Sequence, residues 1–419
     1  MVFFFLLTLF IAPQLWLPPF VGFRVDYLVY PFWVLVAVVT GKWQKIGWTP
    51  FDTLFLVFIA QITVGIILTG FRDDSLTLII TYCKFFLLYR LTVSSTLEFP
   101  GLRRALIAYS GCVAFLIVES ISHKLSPTGI GWAGQPLSWV DITVREAGGT
   151  GRTSWIGIFD GPGVFCVLFT TALPFFMIWI QKPRPILMRL TALMFVAADL
   201  VATYFNGSRG GLLATIAVIV LFVLLKQPQV VVMMKRLMIV VPVVIVVFMA
   251  LPSHLTNMND TQNSASHRVE MWAEGLEMFQ QNPLFGIGLG NFRRYTSKLI
   301  AHNSAIQLMG ELGFPGLFCW FGMIYVTVKS LWRVHSQTKD LKTVQYARGL
   351  LLAVVGYFVS SMFVTLEYET LYLLMALGIA FVRGSGTPIE FKSGDVKLVV
   401  GTVVLWFIFL KLFVVAYFA

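Results

Sequence analysis

Apolar residues run along this chain in long stretches, and polar residues gather in the gaps between them. Stretches of about 17–25 such residues can cross a bilayer as helices. They fall near 2–19, 21–40, 51–69, 75–91, 104–121, 160–180, 188–205, 211–225, 237–251, 303–328, 349–365, 367–382 and 396–418. A few are short or broken by proline, so the pattern predicts about twelve or thirteen membrane-spanning helices. The expected fold is an all-α polytopic membrane protein, with residues 1–419 forming a single integral membrane domain. The first run opens at Val2 without a basic stretch before it or a small-residue cleavage site after it. It is expected to be a membrane segment.

Two gaps exceed what a turn needs, 122–158 and 252–302. The first is rich in Gly, Pro and Trp. The second is expected to begin as a flexible polar stretch around Asn257–Asn263. From Ser266 it gains order, because Val269, Trp272, Leu276 and Phe279 share one face at helical spacing. That predicts a short amphipathic helix lying along the membrane interface. The stretch from Asn282 to Phe292 is too glycine-rich for a helix and predicts a tight loop. With no buried strand before it, its G-x-G is not a nucleotide fingerprint.

Composition agrees with this class. The 419 residues are 58% hydrophobic and 12% charged, mean hydropathy is +0.82, and soluble domains carry roughly a quarter charged residues. The net charge of +11 does not imply nucleic acid, because Lys and Arg collect in every second loop. Examples are Lys42 and Lys45, Arg103 and Arg104, and Lys329 through Arg348. By the positive-inside rule these loops are cytoplasmic. The gaps at 71–74, 122–158, 206–210, 252–302 and 366–370 then face the outer side. The four cysteines all sit in apolar runs without metal-ligand spacing and are expected to be buried hydrophobes.

The candidate chemistry lies on that outer side. His302 and Asn303 stand at the mouth of an apolar run, where a histidine can exchange a proton near neutral pH. Three outer arginines run against the charge bias. Arg209 lies in the clip Asn206-Gly207-Ser208-Arg209-Gly210-Gly211, Arg268 on the polar face of the predicted helix, and Arg152 at a membrane re-entry point. Each could contact headgroups or snorkel. Together they would instead suit a phosphate or pyrophosphate, since a guanidinium bonds two phosphate oxygens at once. Glu311 is expected to be structural, while Glu367 and Glu369 could orient an arginine or the histidine. The outer tryptophans fit interfacial anchors first and sugar-stacking platforms second. No carboxylate pair is arranged to hold a metal against a diphosphate, so neither metal nor cofactor is expected. A transporter or flippase for an anionic lipid or polysaccharide is the other class these arginines would fit.

His302-Asn303, nine residues, Gly313, two residues and Gly316 resemble the signature of the O-antigen ligase and polymerase superfamily of bacterial envelope glycosyltransferases. The Ser208-Arg209-Gly210 clip, Arg268 with Trp272, and the run from Asn282 to Phe292 follow in that family's order. The region from Arg152 to Pro162 resembles its more N-terminal signature, with Gly163 where asparagine is common. The resemblance implies a GT-C-like membrane fold at the bacterial inner membrane, with a large periplasmic loop. It implies metal-independent transfer, on the periplasmic side, of a glycan from undecaprenyl diphosphate. For a ligase the acceptor is lipid A-core oligosaccharide, for a polymerase a second lipid-linked repeat, and for some relatives a protein hydroxyl. The ligase is favoured. The resemblance gives His302 the role of general base. It gives Arg209, Arg268 and Arg152 the diphosphate, and Asn303 and Ser208 a supporting part. His302, Arg209 and Arg268 are expected to converge on one outer cavity.

Overall fold

A computed structural model describes residues 1–22, 25–70, 73–138, 151–181, 183–225, 259–296 and 299–418. The predicted run 237–251 and the start of the second long gap, 252–258, lie outside the described residues. Helices in chain order are α1 (Val2–Leu6), α2 (Val25–Val39), α3 (Pro50–Thr69), α4 (Ser75–Thr96), α5 (Phe99–Leu125), α6 (Pro162–Trp179) and α7 (Ile186–Asn206). They continue as α8 (Arg209–Leu224), α9 (Asn259–Gln281), α10 (Phe292–Tyr295), α11 (Ser304–Gln337), α12 (Leu341–Ser361), α13 (Glu369–Gly384) and α14 (Ser393–Phe418). Among the described residues, eight of these are long and apolar enough to cross a membrane, and three shorter apolar helices accompany them. The chain is an all-α polytopic membrane protein.

The sequence expectation fails at the first run. Instead of a helix through 2–19, the apolar helix stops at Ile11. Ala12 turns left-handed (φ 49°) and Pro13 follows, a residue that cannot donate to the preceding turn.

The chain divides into two compact units. One comprises Met1–Ile46, Leu91–Leu251 and Leu331–Ser360; the other Gly47–Arg90, Pro252–Ser330 and Ser361–Ala419. In the first unit α6 is the buried centre, with apolar residues on every side, as expected of a helix enclosed by others. Phe10 meets Tyr109 edge-on at 5.5 Å, and Tyr109 meets Phe175 at 5.9 Å. The Tyr109 hydroxyl finds Thr171 Oγ1 at 2.7 Å, so its burial leaves no polar debt. By contrast α7 presents Leu187, Leu190, Leu193 and Met194 outward, a face suited to lipid.

In the second unit α13 is the enclosed helix, buried from Thr370 to Val382. Phe55 and Phe85 stack on Tyr372 at 4.8 and 5.0 Å. The amphipathic segment departs from expectation here. It is a 23-residue helix, α9, beginning at Asn259, so the polar stretch expected to be flexible is its first turns. Its apolar periodicity starts later in the sequence, at Val269. Trp272 meets Phe413 at 5.7 Å and Phe279 meets Phe407 at 5.2 Å. The helix therefore runs antiparallel to α14 for about two turns.

Candidate active site

Each unit carries a group of the candidate residues. In the first, α7 ends at Asn206, and Gly207 reverses the chain in the left-handed conformation (φ 65°). Ser208 then starts α8 as its N-cap, its Oγ accepting from the N–H of Gly211 at 3.2 Å. This is the usual work of a cap serine. Arg209 is the first residue of α8 and is exposed. A cation there opposes the helix dipole, whose positive end favours anions. Arg152 reaches the same turn from the loop after α5. Its N–H and C=O pair with Ser138 at 2.7 and 2.8 Å. Its Cγ and Cδ lie 3.3 Å from the point where a Cβ on Gly207 would stand. The fold thus brings Arg152, half-buried, to the turn that launches Arg209.

The second group surrounds His302, which is half-buried and holds a positive φ of 49°. For a non-glycine residue that conformation costs about 1–2 kcal/mol and persists only where neighbours impose it. Both neighbours do. The carbonyl oxygen of Ala301 accepts from Nε1 of Trp272 at 3.0 Å. Asn303 Oδ1 accepts from the N–H of Ile306 at 3.2 Å, capping α11, and its Nδ2 donates to the carbonyl of Met362 at 3.0 Å. The segment after α12 is fastened along the same turn. Leu366 N–H donates to Ser304 Oγ at 2.7 Å, and Thr365 Oγ1 donates to Gln307 Oε1 at 3.1 Å. Arg268, half-buried, stands one helical turn before Trp272 on α9, about 6 Å along the axis.

The spacing from His302 to Gly313 acquires a physical account. At Gly313 (φ 66°, ψ −164°) α11 breaks, in a conformation open almost only to glycine. The break frees carbonyls that membrane would leave unsatisfied. The glycine-rich loop supplies partners: Ile287 N–H to Gly310 O at 3.0 Å and Gly288 N–H to Glu311 O at 2.9 Å. In return Phe314 N–H donates to Pro283 O at 2.8 Å. Gln61, a lone amide in the apolar α3, donates to Leu284 O at 2.6 Å and Leu312 O at 2.9 Å. The loop is therefore the complement of a broken helix.

Glu311 is buried and accepts from Phe292 N–H at 3.0 Å, a structural contact. Both carboxylate oxygens of Glu367 are sealed from solvent. That burial pushes its carboxyl well above the usual range, the Glu311 charge adds to the rise, and the Ser304 and Tyr372 hydroxyls oppose it. The sequence did not single out Gln61, or Trp272 as an anchor of Ala301. A polar residue isolated in an apolar run was the available signal for Gln61. Among the described residues, no three His, Cys, Asp or Glu side chains cluster as a metal site.

Residues 192–321 match the family described as O-Antigen ligase. No curated protein matches the chain. The matched segment includes Ser208, Arg209, Arg268, His302, Asn303 and the break at Gly313, and Arg152 precedes it. That segment, under a third of the chain, is similar to the O-antigen ligase family, in the region where the motifs lie, and the chain is a multi-pass membrane protein.

Proposed function

We propose that this protein is an O-antigen ligase of the bacterial inner membrane. It moves a glycan from undecaprenyl diphosphate to lipid A-core oligosaccharide on the periplasmic side. The supporting observation is the backbone of His302, held left-handed between two anchored neighbours. Strain of this kind gathers at functional sites, where the surrounding structure offsets its cost.

In the proposed reaction an acceptor sugar hydroxyl attacks the anomeric carbon, and the bond from that carbon to the diphosphate oxygen breaks. His302 takes the hydroxyl proton as general base, a role worth about 10²–10⁴-fold. The lipid diphosphate departs with the bonding electron pair. Arg209, Arg268 and Arg152 meet the charge that gathers on it, a contribution that is commonly the largest in such transfers. Asn303 and Ser208 support from the backbone side: Ser208 caps the helix that Arg209 begins, and Asn303 caps the helix that starts just after His302. The proposed reaction uses no divalent metal, so transfer in EDTA should equal transfer in Mg²⁺.

The test is transfer of a lipid-linked glycan to lipid A-core by purified protein in detergent. His302→Ala should lower turnover by about 10²–10⁴-fold while the donor still binds. Near-normal turnover by that variant would remove the base from the mechanism. Transfer only to a second lipid-linked repeat would assign a polymerase, and transfer only to protein hydroxyls a protein O-glycan ligase. Donor binding with no turnover of any acceptor would assign a transporter.

A further inference from the structure

Where α5, the loop at 152–153 and the end of α7 meet, three buried polar side chains stand outside the chemistry just described. Thr153 is fully buried, and each of its polar groups is tied. Its N–H reaches the carbonyl oxygen of Phe205 at 3.4 Å. Its own carbonyl accepts from Asn206 Nδ2 at 3.1 Å. Its hydroxyl meets that of Ser120 at 2.8 Å. Asn206 and Ser120 are fully buried as well. With Arg152 paired through both backbone groups to Ser138, four consecutive backbone polar groups are fixed at the residue that leans over Gly207.

Apolar side chains would pack a loop against a helix end at lower cost, because a buried polar group is penalised unless fully bonded. Hydrogen bonds add direction, which packing alone does not. Direction is needed here, since Arg152 has to be aimed at the turn that launches Arg209. We infer that Asn206, Thr153 and Ser120 are positioning residues that hold Arg152 at the Arg209 turn, so that both forks receive one diphosphate. The inference rests on the diphosphate reading of Arg152 and Arg209. None of the three touches the substrate; they act through Arg152.

The experiment titrates the purified full chain with farnesyl diphosphate by calorimetry. Thr153→Val, Thr153→Ser, Asn206→Leu and Ser120→Ala are measured alone and on an Arg152→Ala background. Thr153→Val and Asn206→Leu should weaken binding by roughly three- to tenfold, the usual effect of one lost buried hydrogen bond. Thr153→Ser, which keeps the hydroxyl, should bind as the parent does. On the Arg152→Ala background none should weaken binding further, because their effect passes through that side chain. A weakening of equal size on both backgrounds overturns the inference. So does parent-like binding by both Thr153→Val and Ser120→Ala when Arg152→Ala itself binds poorly. If Asn206→Leu does not fold, those two variants decide the matter. Binding unchanged by Arg152→Ala and Arg209→Ala overturns the diphosphate reading and the clamp with it, a result distinct from the others.

Discussion

The indole N–H of Trp272 donates to the carbonyl oxygen of Ala301 at 3.0 Å, tying the helix of Arg268 to the residue before His302. One hydrogen bond thereby joins a helix to a backbone strained out of its ordinary conformation. Trp272→Phe keeps a ring beside Phe413 and deletes only the donor. Transfer should fall roughly tenfold while stability drops by about 1 kcal/mol, the net worth of one hydrogen bond. Turnover and thermal unfolding of the same preparation check it, and parent-like turnover would detach the bond from the placement of His302.

His302 itself separates backbone strain from chemistry. Glycine accepts φ 49° freely and alanine does not. His302→Gly should therefore be more stable than His302→Ala, by about 1 kcal/mol. Both should be equally poor in transfer, since neither can take a proton. Equal unfolding temperatures for the two would show that the left-handed backbone at 302 relaxes once the imidazole is gone.

Gly313 should be far less tolerant. A Cβ there would stand 2.6 Å from Pro283 O and 2.8 Å from the carbonyl carbon of Leu284. Those are backbone atoms held by hydrogen bonds to Phe314 and Gln61, so they cannot yield cheaply. Gly313→Ala should cost about 3 kcal/mol from the unfavourable conformation and the clash together. The helix mouth at Asn303 should shift with it. Expression level, unfolding temperature and transfer should all fall, and a variant that unfolds with the parent would refute this reading of the break.

These residues also mark how far the sequence could be followed. Helix positions were legible because membrane helices advertise themselves through uninterrupted apolar runs; the run 51–69 became Pro50–Thr69 almost unchanged. His302 and Asn303 at a helix mouth were legible because polar pairs at such a boundary stand out. What joins distant segments was not. The bonds from Gln61 to Leu312 and from Asn206 to Thr153 obey no period, and only the folded chain brings their partners together. The start of α9 was hidden for a related reason. Asn259 to Asn263 show no apolar stripe, and helix formation there extends a register that Val269 and Leu276 establish further on. The run 2–19 misled in the opposite direction, because apolarity persisted past a backbone that Ala12 and Pro13 had already turned.

Asn303 offers a division of labour between its two ends. Asn303→Asp keeps an oxygen to cap Ile306 N–H but loses the donor to Met362 O. Asn303→Ala loses both. The alanine variant should be the less stable, by about 1 kcal/mol for the missing cap. Both should lose transfer, because the Met362 bond is gone in each. Transfer retained by Asn303→Asp would show that the cap alone positions His302.

The last prediction concerns pH and Glu367. Its carboxylate oxygens are sealed from water, and burial raises its carboxyl well above the usual carboxylate range, with the charge on Glu311 adding to the rise. The folded state thus holds a proton at pH values where the unfolded chain has released it. Stability depends on pH through the difference in protons bound by the unfolded and folded states, and here the folded state binds more. The contribution is fully present below the ordinary carboxylate range and is lost as pH rises through the raised value. Glu367→Gln fixes the neutral form and should abolish this loss. Parent and variant should therefore unfold at similar temperatures near pH 4, with the variant increasingly the more stable as pH rises. Unfolding curves collected across that range in one detergent measure the difference directly. A parent that gains on Glu367→Gln with rising pH would reverse the sign. It would mean that Glu367 is ionised in the folded protein and paired with a cation.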